Sequence, residues 1–65
     1  MRESRRLPVP EGLDGMRVDA ALAKLLGISR ARVAQLCTAG DVEIDGAAVG
    51  KSERLSAGGW IDVMM

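Results

Sequence analysis

Arg30 and Arg32 sit where a helix should begin, and that placement suits recognition of an anion. Ser29 before them is a good N-cap, because its hydroxyl can accept from a free backbone N–H of the first turn. Cations beside those N–H groups are disfavoured by about 0.3–1 kcal/mol each, since the helix dipole is positive there. An external anion at that turn removes the conflict. Arg32 leads the candidates, because it points away from the apolar positions Val33 and Leu36. Arg30 lies at a helical angle near that of Cys37, but it can reach solvent from the helix end. Arg17 and Lys24 are seven residues apart, on one line of an earlier helix and off the centre of its apolar stripe. Their bland reading is a solvated helix face. Lys51, in a later polar connection, completes the candidate set.

Catalytic chemistry has no comparable support. The chain has no His and one cysteine, so no nucleophile–base pair is credible and no zinc site can form within it. Cys37 reads as a small buried hydrophobe. A single cysteine cannot form an internal disulfide, which suits a reducing cytosol and a cytoplasmic location. Neither a Walker loop nor a dinucleotide fingerprint is present, and no cofactor is expected. Asp41, Glu43 and Asp45 alternate along one short segment and read as a solvated strand face that discourages edge aggregation, not as a metal site. No apolar run approaches a membrane span, and no membrane partner is expected. The reading is a binding module with no catalytic residues of its own.

Charge distribution says more than net charge. The 65 residues sum to zero, with a pI near 6.1, which alone argues against nucleic-acid binding. Yet residues 1–32 carry seven basic groups against four acids, and residues 33–65 carry two against five. A dipolar domain can present a basic face despite a neutral total.

The elements that must hold these residues follow from periodicity. Val18, Ala21, Leu22, Leu25 and Leu26 trace an amphipathic helix, with Asp19 in its first turn and Gly27 able to end it. A second helix starts after Ser29, stapled by Ile28 and Val33, and Gly40 fits its left-handed stop. Val42-Glu43-Ile44 is a half-buried strand, and Asp45-Gly46 is a hairpin turn that places Ile44 opposite Ala47 and Val42 opposite Val49. Residues 60–64 form a last strand with Ile61 and Val63 inward. Leu7-Pro8-Val9-Pro10 is at best an edge strand, because proline cannot donate to a ladder. Residues 1–6 read as mobile and 11–15 as a loop. The fold class is α+β, two packed helices against a small, mainly antiparallel sheet. The expected core is Val18, Leu22, Leu25, Val33, Leu36, Val42, Ile44, Val49, Ile61 and Val63. One small domain of this size is marginally stable. The chain halts on its last strand with no tail to cover it, as a piece of a longer protein would.

Arg17-Val18-Asp19, Ser29-Arg30 and the run from Gly40 to Val49 with Ser52 resemble the S4-type, or αL, RNA-binding domain over about residues 16–63. The resemblance implies an arm over 1–15, a domain over 16–65, and structured RNA as partner, contacted by Arg17, Arg30 and Arg32, with Lys51 extending the patch; Lys24 joins the candidates only through its line with Arg17. Gln35 stands where that family often has a base, which weakens the patch. Asp45 stands where it often has Asn, which keeps the turn. The lead-in, residues 7–19, resembles the start of large-subunit-type ribosomal RNA pseudouridine synthases. That implies ribosomal RNA as target, a catalytic domain following in the parent chain, and a monomer. Arg17-Val18-Asp19 superficially copies the Arg-Leu-Asp of their catalytic motif, but the Thr-Ser-Gly continuation is missing, so Asp19 is not read as catalytic. Two alternatives stand beside this reading. One is a protein–protein docking domain without an RNA role. The other is a β-grasp sulfur carrier, which would need a Gly-Gly terminus where this chain has Val63-Met64-Met65.

Overall fold

The computed structural model describes residues 3–65, so Met1 and Arg2 of the expected mobile tail lie outside the described residues. Strand β1 (Ser4–Pro8) leads into a 3-10 turn over Glu11–Leu13. Helices α1 (Val18–Leu26) and α2 (Arg30–Thr38) follow. Strands β2 (Val42–Ile44), β3 (Ala47–Ala48) and β4 (Trp60–Met64) complete the chain. The four strands form one antiparallel sheet in the order β1-β4-β2-β3. The α+β architecture expected from periodicity is the one observed.

Local chemistry explains each boundary. Ser29 Oγ accepts the Arg32 N–H at 3.1 Å, so the N-cap of α2 forms as its sequence requires. At the other end Gly40, with φ 78°, takes the left-handed position. Asp41 N–H donates to Leu36 O at 2.9 Å and Gly40 N–H to Cys37 O at 3.0 Å, the paired bonds of a Schellman stop. Asp45 (φ 50°) and Gly46 (φ 84°) form a type I′ hairpin turn, and Ile44 pairs with Ala47 as the turn length dictates.

The inner face of the sheet and the two helices share one core: Val18, Ala21, Leu22, Val33, Leu36, Val42, Ile61 and Val63 are all buried. Three expectations need correction. Leu25 is 37% exposed, because the last turn of α1 lies over Pro10 and Gly12, which offer little side chain to cover it. Ile44 and Val49 pack against the core but are only half-buried, since the hairpin forms the outer rim of the sheet. Val9, Leu13 and Leu55, all outside the expected core, are buried instead. The N-terminal segment is also more ordered than expected. Ser4, Arg5 and Arg6 belong to β1, which pairs with β4 along its whole length and so covers the last strand.

Candidate nucleic-acid interface

The start of α1 is a closed structure. Val18 N–H donates to Glu53 O at 2.7 Å and Asp19 N–H to Lys51 O at 3.0 Å, while Ala20 N–H donates to Asp19 Oδ1 at 2.8 Å. The first-turn donors that a helix normally leaves open are therefore taken up by the 51–53 segment and by Asp19 itself. The same segment pairs further back: Leu55 N–H donates to Met16 O, Gly15 N–H to Leu55 O, and Arg17 bridges Arg54 across the backbone. This pairing brings the basic residues of the second half of the chain beside those of the first.

Asp19 is the centre of the cluster. Its Oδ2 accepts from Arg17 Nη2 at 3.1 Å and from Arg30 Nη2 at 3.2 Å. The carboxylate is covered, with 7% of the side chain exposed, whereas the Arg17 and Arg30 side chains are 40% and 59% exposed. Each guanidinium thus has one Nη on Asp19, and both side chains keep part of their surface exposed, Arg30 more than Arg17. Burial pushes the Asp19 carboxyl upward, but the Arg30 hydrogen bond, the Ala20 N–H and the charges of Arg17 and Arg30 outweigh it and hold the group below its ordinary value. Arg17 Nε is buried and has no hydrogen-bond partner among the described residues.

The start of α2 is open. The first intrahelical bond runs from Val33 N–H to Ser29 O, so the Arg30 and Ala31 amides lie ahead of the ladder, on an exposed turn. Arg32 is exposed on the side away from Val33 and Leu36, as its position implies, and Nη1 reaches Gln35 Oε1 at 3.4 Å. Lys51 is exposed and borders a groove along α2 lined by Gln35, Cys37 and Thr38. Arg17 and Arg30 therefore meet at Asp19, Arg54 lies beside Arg17 on the paired backbone, and Arg32 and Lys51 flank the exposed side of α2, within a chain of zero net charge. Lys24 is apart from them. It is exposed two turns along α1 from Arg17, about 10 Å at the helical rise, beside Pro10 and Leu13.

Sequence reasoning missed two members. Arg54 falls in the acidic half of the chain, yet it lies beside Arg17, and its Nη1 donates to Gly15 O at 2.8 Å. The sequence presents Asp19 only as a carboxylate in a helix's first turn, and nothing local announces its bond to Arg30, eleven residues on. Cys37 is half-buried, not buried, and its thiol is pushed up by burial and by Asp19 and Glu53, so it stays protonated and unreactive at neutral pH. Asp45 is exposed, and it has a second role, since its Oδ1 accepts the Trp60 N–H at 2.9 Å and ties the hairpin to β4. No group of His, Cys, Asp and Glu suited to a metal ion occurs among the described residues.

Comparison with known proteins identifies the family. The S4 domain family matches residues 16–61. Uncharacterized RNA pseudouridine synthases of Mycobacterium bovis and Mycobacterium tuberculosis are each 51% identical over 61 residues, 94% of this chain. The chain spans 20% of the length of each of these relatives.

Proposed function

The chain belongs to the S4 domain family, and on that premise we propose that it is an RNA-binding module that docks an RNA pseudouridine synthase onto structured ribosomal RNA. One observation carries the reading: Arg17 and Arg30, from the starts of two different helices, converge on one buried carboxylate while both side chains stay partly exposed. Guanidinium groups so arranged match the fork geometry that phosphate oxygens accept. Arg32 and Lys51 extend the surface along α2, and Lys24 marks its far limit. The enzyme part of the proposal rests on the relatives, which are named as RNA pseudouridine synthases and are about five times as long. A catalytic domain following residues 16–65 would then supply the isomerase chemistry, with residues 1–15 as an arm ahead of the RNA-binding domain. Such a parent would act as a monomer in the cytoplasm, and none of the described helices is long and apolar enough to cross a membrane. The β-grasp carrier reading is set aside by the family.

The protein-docking reading would place its contact on the outer face of the sheet, where Trp60 and Met64 are exposed. Titration of the isotope-labelled chain with purified ribosomal RNA separates the two. Amide shifts should concentrate at residues 15–19, 29–35 and 51–54. Shifts confined to residues 60–64, or none at all, would contradict the proposal.

A further inference from the structure

The Asp19 carboxylate poses a puzzle if this face binds RNA, because a negative charge at the centre of a phosphate-binding surface should weaken binding. Its geometry resolves the puzzle. Oδ1 is held by the Ala20 N–H at 2.8 Å, and the residue's own N–H donates to Lys51 O at 3.0 Å, so one carboxylate oxygen and the main chain that carries it are both anchored. Oδ2 is left to take Arg17 and Arg30 together. Two guanidinium groups brought this close repel one another and would otherwise sample many rotamers. A covered anion between them cancels the repulsion and fixes both planes.

We propose that Asp19 is a positioning residue for RNA: it preorganises Arg17 and Arg30 as a two-armed phosphate clamp and joins the starts of α1 and α2 into one recognition surface. The inference rests on the RNA-interface reading above and deepens it. Preorganisation strengthens binding by removing the entropy cost of ordering side chains at the moment of contact. Asp19 contributes no donor to the ligand and acts only through its two arginines.

Asp19→Asn tests this, because charge and positioning predict opposite signs. Asparagine keeps an oxygen for the Ala20 N–H and leaves the size unchanged, but it removes the anion. If charge alone mattered, RNA would bind about threefold tighter, as one repulsive charge some 7 Å away in water would give. If positioning dominates, binding of purified ribosomal RNA by the 65-residue chain should weaken by about tenfold, as expected when charge-assisted contacts lose their geometry. Filter binding at several salt concentrations, well below the melting temperature of each protein, reads the sign. Equal or tighter binding by a folded Asp19→Asn chain overturns the proposal. Nitrogen-detected NMR of the arginine side chains gives a second test on the unaltered protein, independent of how the variant folds. Arg17 and Arg30 should show separate, slowly exchanging Nη signals without RNA, and Arg32 averaged ones. Averaged signals for Arg17 and Arg30 also overturn the proposal. A parent chain that binds no RNA overturns the interface reading itself, whereas a parent that binds alongside an equally competent Asp19→Asn chain overturns only the positioning role.

Discussion

Asp19 makes a prediction about acid stability whatever it does for RNA. Its folded-state pKa lies below the ordinary value of 3.8, owing to the arginines and the Ala20 amide. Above that value the group is ionised both folded and unfolded, and its stabilising effect is fully present. As pH falls below about 4 and through the depressed folded value, the effect is lost. Urea midpoints should therefore fall more steeply as the pH drops below about 4 for the parent than for Asp19→Asn. Parallel curves would show that the carboxylate is not held ionised by its partners. Arg32 should behave differently. It sits on an exposed turn with one long bond to Gln35. Arg32→Ala should leave the melting temperature unchanged or slightly raised, because it removes a cation from the positive end of α2. A marked fall would make Arg32 a structural residue. Arg54→Ala should cost some stability, since that side chain closes onto Gly15 O.

The elements show what local sequence can and cannot specify. Ser29, Gly40 and Asp45-Gly46 each fix a boundary through one residue's own chemistry, and all three could be read in advance. Gly40 gives a direct check. A Cβ built there meets nothing within 4 Å, so any penalty comes from the backbone and not from a clash. Gly40→Val should lower stability by about 1–3 kcal/mol, because a β-branched residue resists positive φ. Gly40→Asn should cost much less. Equal urea midpoints for the two variants would contradict the left-handed stop. The crossover over residues 51–55 could not be read in this way. Leu55 is 2% exposed, and its segment supplies the carbonyls that close the start of α1, yet it has neither helical nor strand periodicity. Its role depends on backbone pairing with residues some 35 positions away, a contact that no local pattern encodes. The same holds for the convergence of Arg17 and Arg30, whose types and helix-start positions were legible but whose shared carboxylate was not. Leu55→Ala should cost about 2–5 kcal/mol, as for other fully buried leucines, measured by urea denaturation. A loss under 1 kcal/mol would mean that the segment is loosely held.

At the scale of the whole molecule, the fold converts a neutral chain into one with a basic end. The 15–19 and 51–55 segments run antiparallel, so Lys51 and Arg54 join Arg17, Arg30 and Arg32 despite belonging to the acidic half. The opposite face of the sheet carries a different arginine. Arg6 pairs with Asp62 at 3.8 Å and stacks over Trp60 at 5.1 Å; Asp62 lies between buried Ile61 and Val63 and so points away from the helices. Arg6 and Arg32 thus carry equal charge on different surfaces, and comparing them separates location from net charge. The central claim is that the start of α2, with its neighbours, is the RNA-binding surface. It is tested most directly by the salt dependence of ribosomal RNA binding for the parent, Arg32→Ala and Arg6→Ala. Counterion release predicts that Arg32→Ala binds more weakly and that its log–log salt slope is shallower by about one phosphate contact, while Arg6→Ala follows the parent. Parent-like binding by Arg32→Ala across the series, or an equal loss in both variants, would contradict the account.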